Sequence, residues 1–193
     1  MNTSLWWWLI PVVLFFWAVG AYNRLVRLRA AVGKAFAVFD EQLVRQVVWI
    51  QGCLPEAMRG GLQTSPIELD DPVTAAWARL HATSDQVVVA LAKLRGHPMD
   101  GAGMAALVLA HEAMRTAWAG ALAEAIAEDA VPSAQRLQER WMRLLHQSLP
   151  LRAAFNEAVQ SYNQGIGQFP AWLLARVFGF KPAGALARLA EPR

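Results

Sequence analysis

The chain has 193 residues, of which 55% are apolar, and a formal net charge of +3. The basic residues are dispersed along the chain rather than gathered in one stripe, which argues against nucleic-acid binding. A single cysteine, Cys53, excludes an internal disulfide framework. Alanine is abundant, and no stretch alternates polar with apolar residues over the length of a strand. The composition therefore predicts an all-α protein.

An uncharged apolar run opens the chain. It extends from Leu5 to Tyr22, 18 residues, which is about the minimum for crossing a bilayer as a helix. Helical periodicity continues beyond Tyr22 without a break signal. We therefore predict that residues 1–22 form a transmembrane anchor, continuous with a helix that leaves the membrane.

A cleavable signal peptide is the alternative interpretation of this run. Ala18, Val19 and Gly20 form a small-x-small triplet of the kind that a signal peptidase accepts. However, no basic residue precedes the run, and three consecutive tryptophans, Trp6 to Trp8, are more typical of a membrane–water interface. We favour the anchor.

The charges that flank the run predict its orientation. No Lys or Arg precedes it, whereas Arg24, Arg27, Arg29 and Lys34 follow it before the first acid, Asp40. Because short basic segments stay on the cytoplasmic side, the N-terminus is expected outside and the rest of the chain in the cytoplasm, as a single-pass membrane protein.

Residues 23–169 are expected to form an antiparallel four-helix bundle. Apolar residues recur every three or four positions along the first and last helices, and turn signals such as the Gly60-Gly61 pair and Pro132 separate the segments. Short connections favour antiparallel neighbours, so the end of the fourth helix should lie beside the start of the first. The predicted helices are Tyr22–Met58, Pro72–Arg95, Met104–Ala130 and Ala134–Phe169.

The remaining residues, 170–193, form an amphipathic tail. They are too charged to span a bilayer but suit a helix lying on anionic lipid. The alternative is a tail packed against the bundle. The candidate membrane-interface residues are Trp172, Leu173, Arg176, Val177, Phe178 and Lys181.

Two stretches of the chain resemble the LemA family of bacterial membrane proteins. They are YNRLVRLRAAVGKAFAVFDEQLVRQ, from Tyr22 to Gln46, and FNEAVQSYNQGIGQFPAWLLARVFGF, from Phe155 to Phe180. The resemblance implies a membrane-anchored antiparallel four-helix bundle with its bulk in the cytoplasm, at the inner membrane of a bacterium. It brings no catalytic site with it.

The chain departs from the family pattern at Val47, Val48 and Trp49. The family tends to have polar residues in this stretch, and here the stretch is apolar. Either this face contacts another protein or it lies under a helix. We take the three residues as a candidate interaction patch.

Four polar residues on the first and last helices are candidates for setting helix register. An amide or carboxylate buried between helices fixes their alignment at some cost in stability. For Asn23 and Asn163 the alternative is an exposed amide at the wet membrane interface. The candidates are Asn23, Asp40, Asn156 and Asn163.

No motif in the sequence indicates catalysis, a cofactor or a metal site. The stretch from His111 to Arg115 begins like HExxH, but Arg115 occupies the position of the second histidine ligand. We therefore expect a non-enzymatic scaffold or adaptor, whose partners are the bilayer and either an unidentified membrane protein or further copies of the chain. The alternative function is remodelling of the membrane or organisation of its lipids.

Overall fold

The structure, a computed structural model, describes residues 3–54, 71–127, 134–169 and 171–186, with side chains from residue 9 onward. Over these residues the chain is all-helical, which confirms the predicted fold class. The helices are α1 (Thr3–Cys53), α2 (Pro72–Gly96), α3 (Gly101–Ala127), α4 (Ala134–Gly167) and α5 (Ala171–Val177).

Helix α1 joins the apolar run to the bundle without interruption, as predicted. It has 51 residues, including Pro11 near its start, and is about 77 Å long at 1.5 Å per residue. Among the described residues, α1 is the helix long and apolar enough to cross a membrane. Almost none of its apolar stretch is buried, and Phe15 and Phe16 are among its exposed side chains. This stretch is therefore not the core helix of a soluble domain.

The second half of α1 forms one wall of the core. The apolar positions predicted from the helical period are buried there, apart from Leu28, which is half-buried. The periodicity of the sequence therefore identified the correct face of α1. The buried positions in this core are Val32, Phe36, Phe39, Leu43, Val47 and Ile50, with Leu54 just after the end of α1. Leu25, nearer the apolar run, is buried in a separate small cluster with Ala171 and Ala175.

The bundle consists of two closely packed helix pairs, α1 with α4 and α2 with α3. The end of α4 lies beside the part of α1 that directly follows the apolar run, as predicted. A Cβ added to Gly165 would lie 2.7 Å from Leu28 Cδ1, so the helices approach closely at this glycine. At Gly167, near the end of α4, an added Cβ would meet nothing within 4 Å.

Side-chain caps define the starts of α2 and α3. Asp71 Oδ2 accepts a hydrogen bond of 2.8 Å from the Thr74 amide. Hydrogen bonding from the Thr74 side chain, and after it from this amide, lowers the pKa of Asp71. Pro72 occupies the first turn of α2, where no amide donor is needed. Asp100 caps α3 in a similar way, accepting from the amides of Ala102 and Gly103 at 3.2 and 3.0 Å.

Helix α4 continues through Pro150 and ends at Gly167. We predicted that this helix extends to Phe169, and this was wrong. The helix ends two residues earlier, so Phe169 does not continue the apolar face of the helix, and its side chain is 80% exposed. The predicted loop over 59–70, the predicted helix ends at Met58 and Ala130, and the last seven residues of the tail lie outside the described residues.

Candidate functional site

A layer of polar side chains crosses the core between α1, α3 and α4. The Gln46 amide nitrogen donates to the Leu144 carbonyl at 3.1 Å, and Gln42 donates to the same carbonyl at 3.3 Å. The Gln46 amide oxygen lies 2.9 Å from His111 Nε2. Because that oxygen is an acceptor, the imidazole carries its proton on Nε2 and donates it to Gln46. The layer therefore joins three helices through Gln46, which bonds to α4 with its nitrogen and to His111 of α3 with its oxygen.

His111 is held in its neutral form. Burial, and after it the positive charges of Arg115 and Arg152, together lower its pKa to about 4. Arg115 itself pairs with Glu112 at 3.0 Å. No group of three or more His, Cys, Asp or Glu side chains that could hold a metal ion lies within the described ranges. The arrangement around His111 is that of a structural hydrogen-bond network.

Asn156 and Asn163 hold the tail on the bundle. The Asn163 side chain donates to the Ala183 carbonyl at 2.9 Å and accepts from the Ala183 amide at 2.8 Å. Asn156 makes the same pair of bonds with Leu186, at 3.1 and 2.9 Å. Seven residues along a helix and three residues of extended chain both span about 10 Å, so the two pairs match in spacing.

Further contacts fix this extended segment, which comprises residues 181–186. Tyr162 Oη donates to the Lys181 carbonyl at 2.9 Å, and the Gly184 amide donates to the Met99 carbonyl at 3.1 Å. The side chains of Ala183 and Leu186 are buried. The segment therefore lies along α4 and against the turn between α2 and α3.

The structure corrects two predictions about the tail. Within the described part of the tail, residues 171–177 form a helix and residues 181–186 pack on the bundle, as in the alternative interpretation. The amides of Asn156 and Asn163 bind the tail and do not set the register of two helices. Sequence reasoning missed this role because the paired backbone atoms lie 20 and 30 residues away in the chain.

The short helix α5 buries its small side chains and exposes its large ones. Ala171 and Ala175 pack against Leu25 of α1. The aromatic rings of Tyr22 and Phe178 lie 5.0 Å apart, and Phe169 lies 6.1 Å from Trp17 in the apolar run. Exposed apolar side chains thus lie beside α1 where its apolar run ends. This apolar collar comprises Tyr22, Phe169, Trp172, Leu173, Val177 and Phe178. The other two residues predicted for a membrane interface, Arg176 and Lys181, are also exposed.

The predicted interaction patch is largely inside the protein. Val47 is buried in the core, and Trp49 lies 5.0 Å from Trp118 and 6.1 Å from Trp141, measured between ring centroids. The patch prediction was therefore wrong for both residues: Val47 belongs to the hydrophobic core, and Trp118 of α3 and Trp141 of α4 pack against Trp49. Val48 points away from them and is 60% exposed.

Val48 lines a shallow groove between α1 and α2. The groove has a volume of about 170 Å³, and Val88 lines it from the α2 side. Both valines are exposed, as is the adjacent Val89. This α1–α2 groove is lined by Val44, Val47, Val48, Gln51, Val88, Leu91 and Arg95.

The other two candidate register residues differ from each other. Asn23 is exposed, so its amide is not buried between helices and the prediction for it was wrong. Asp40 accepts two hydrogen bonds from Arg95, at 2.9 and 3.2 Å, and its side chain is only 15% exposed. This bidentate pair connects the middle of α1 to the last turn of α2.

No protein-family model, no curated protein and no solved structure matches this chain. The resemblance to the LemA family therefore stays a prediction.

The attachment of the tail can be tested at Gly184. A Cβ at this position would overlap the Gly101 Cα and lie 3.1 Å from the Gly101 nitrogen. Both groups belong to the backbone, so no flexible side chain can move aside. Gly184→Ala should release residues 181–186 and speed hydrogen exchange at the Ala183 and Leu186 amides roughly tenfold or more, since each loses a hydrogen bond.

Gly167→Ala is the matched control, because a Cβ there meets no atom within 4 Å. It should leave the exchange rates of the two tail amides unchanged. Equal exchange in the Gly184 variant and the parent protein would contradict the close approach of the tail to the α2–α3 turn.

Proposed function

We propose that the chain is a non-enzymatic, membrane-anchored scaffold or adaptor of the LemA type. The observation that carries this proposal is the continuity of α1, which runs from the exposed apolar stretch into the bundle core without a linker. Whatever holds the apolar stretch therefore also fixes the direction of the bundle. A rigid, oriented bundle suits a protein that presents a surface to a partner.

In the proposed topology the N-terminus lies outside the inner membrane and the bundle lies in the cytoplasm. Four cations that follow the apolar run are exposed and available to the lipid surface: Arg24, Arg27, Arg29 and Lys34. Their position supports this orientation, because basic segments stay on the cytoplasmic side. The apolar collar then faces the cytoplasmic leaflet, where Trp172 and Phe178 would enter the interface.

The α1–α2 groove is the surface that we assign to the partner. Exposed apolar side chains rimmed by polar groups are typical of protein contacts, and the groove combines Val48 and Val88 with Gln51 and Arg95. It lies on the half of α1 that is away from the apolar run. The partner is another membrane protein or a second copy of the chain.

Lipid organisation is the second candidate function. The apolar collar favours it, since a short helix with exposed Trp172, Leu173, Val177 and Phe178 beside an anchor would act as a wedge in one leaflet. Lipid organisation requires the exposed side chains of the collar to act on the bilayer, whereas the scaffold function does not. A change in vesicle shape that disappears with Trp172→Ser and Phe178→Ser would favour lipid organisation over the scaffold.

Photo-crosslinking in native membranes tests the scaffold. The photoreactive residue benzoylphenylalanine replaces either Val48, in the groove, or Val38, an exposed valine of α1 that does not line the groove. We expect a discrete adduct from position 48, with the mass of a dimer or of one other membrane protein, and at least roughly tenfold less from position 38.

A charge placed in the groove should then remove the adduct. With the photoreactive residue at position 88, Val48→Asp should abolish crosslinking, because an unpaired carboxylate is costly to bury in an apolar contact. Adducts of the same pattern and yield from positions 38 and 48 would contradict the assignment of the groove.

A further inference from the structure

A second concave site lies next to the apolar collar. It is a cleft of about 590 Å³ between α1, the α2–α3 turn, α4 and the tail, within the size range of small-molecule sites. Arg29, Lys93, His97 and Lys181 line it, together with one acid, Asp100. These residues come from separate elements, so no local sequence pattern reveals the cleft.

Three cations of the cleft have no acidic partner within the described part of the chain. Among the described residues, Arg29, Lys93 and Lys181 form no ion pair, whereas several arginines elsewhere pair with carboxylates. Asp100 uses both carboxylate oxygens to accept hydrogen bonds from amides in the first turn of α3. Three cations and one carboxylate leave an excess of two positive charges, which favours an anionic ligand.

The cleft lies at the level where lipid headgroups would be. Phe180 lines it, and the Phe180 ring lies 6.1 Å from the Tyr22 ring, at the end of the apolar run. The Arg29 guanidinium lies 6.0 Å from the Phe180 ring centroid. Arg29 follows Tyr22 by seven residues, or about 10 Å of helix. The headgroup layer is roughly 5–8 Å thick, a little less than this 10 Å of helix. A long basic side chain at Arg29 is able to bridge the remaining few Å to the headgroups.

We propose that this cleft binds a phosphate group, carried either by an anionic phospholipid or by a small soluble phosphate ester. A guanidinium presents paired donors that match phosphate oxygens, and the two lysines add point charges. Met99, Phe180 and Pro182 supply apolar lining for the organic part of the ligand. The lipid source rests on the proposed membrane attachment, whereas the phosphate chemistry does not.

Calorimetry on the full chain in non-ionic detergent tests the site. The probes are short-chain phosphatidylglycerol, phosphatidylcholine of the same chain length, and glycerol phosphate, in phosphate-free buffer. Lys93→Gln with Lys181→Gln should weaken binding of the anionic probe roughly tenfold or more, because charge-assisted hydrogen bonds are lost. The control pair, Arg136→Gln with Arg140→Gln on α4, removes the same charge outside the cleft and should change affinity less than about threefold.

The probes also identify the source of the phosphate. Tighter binding of phosphatidylglycerol than of glycerol phosphate supports a lipid headgroup, and equal binding of the two supports a soluble ester. Binding of no anionic probe would overturn the proposal. An equal loss of affinity in the two variant pairs would overturn it too, since attraction would then depend on overall charge. Thermal melts of both pairs exclude misfolding, and all four substituted residues are exposed.

Membrane attachment is measured separately, so that the two proposals fail independently. A fluorophore is placed at Val177→Cys in the collar or at Val89→Cys on α2, each in a Cys53→Ala background; the two valines have similar exposure, 71% and 68%. Quenching by brominated lipid should affect only position 177. Equal quenching with intact glycerol phosphate binding would reject the attachment and keep the site. Selective quenching at position 177, together with unchanged affinity in the cleft variants, would support the membrane attachment and reject the site.

Discussion

Phe155→Ala should lower the free energy of unfolding of the bundle by about 3–5 kcal/mol, as expected for a large aromatic removed from a packed core. Phe155 has no exposed surface, and its ring lies 6.1 Å from Phe36 and 6.5 Å from Phe39. Truncation leaves a cavity between α1 and α4, which are the longest packed pair. Urea titration of the full chain in detergent, followed by the fluorescence of the Trp49–Trp118–Trp141 cluster, measures the loss.

Phe169→Ala is the matched control for this substitution. Phe169 is also a phenylalanine and follows α4 by two residues, but its side chain is 80% exposed. Its removal should change the free energy of unfolding by less than about 0.5 kcal/mol, as is usual for surface positions. Similar losses for the two variants would mean that Phe155 is not at the centre of the core.

The core of α1 was predictable because helical burial is periodic along one stretch of chain. Leu25, Phe39 and Ile50 fall on one face by residue spacing alone, and all three are buried. Asp71 and Pro72 likewise predicted the start of α2, since capping involves residues only a few positions apart. In both cases the deciding contacts are local.

The candidate site was less predictable because its contacts join distant parts of the chain. Trp49 was taken for part of a surface patch, since nothing in that stretch indicates that Trp118 and Trp141 pack against it. The tail has amphipathic character from residue 170 onward, yet the bonds to Asn156 and Asn163 favour an extended conformation after α5. Hydrophobic pattern reports which residues avoid water but not which backbone groups a distant amide will bind.

The basic cleft was also not predictable from the sequence, because its charges come together only in the fold. Arg29, Lys93 and Lys181 lie in three separate segments of the sequence. Their convergence depends on the turn after α2 meeting the extended tail, where the Gly184 amide bonds to Met99. The glycines at 101 and 184 permit that approach, and neither position has a signal in the sequence other than glycine itself.

Acidification should destabilise the bundle through His111. Its pKa is about 4 in the folded protein, against about 6.5 in the unfolded chain. Between these values the unfolded state binds the additional proton, so stability falls as the pH falls from 6.5 to 4 and this contribution is constant below 4. At about 1.4 kcal/mol for each tenfold change in proton affinity, the loss is about 3 kcal/mol.

The comparison with His111→Gln isolates this contribution from the carboxylates that titrate in the same range. Glutamine keeps an N–H donor for the Gln46 oxygen but cannot take up a proton. The variant should therefore lose about 3 kcal/mol less than the parent between pH 7 and pH 4, as measured by urea titration at each pH. His146→Gln, at an exposed position of α4, is the control and should follow the parent. Parallel pH profiles for the parent and His111→Gln would show that the pKa of the imidazole is the same in the folded bundle as in the unfolded chain, which would contradict its burial.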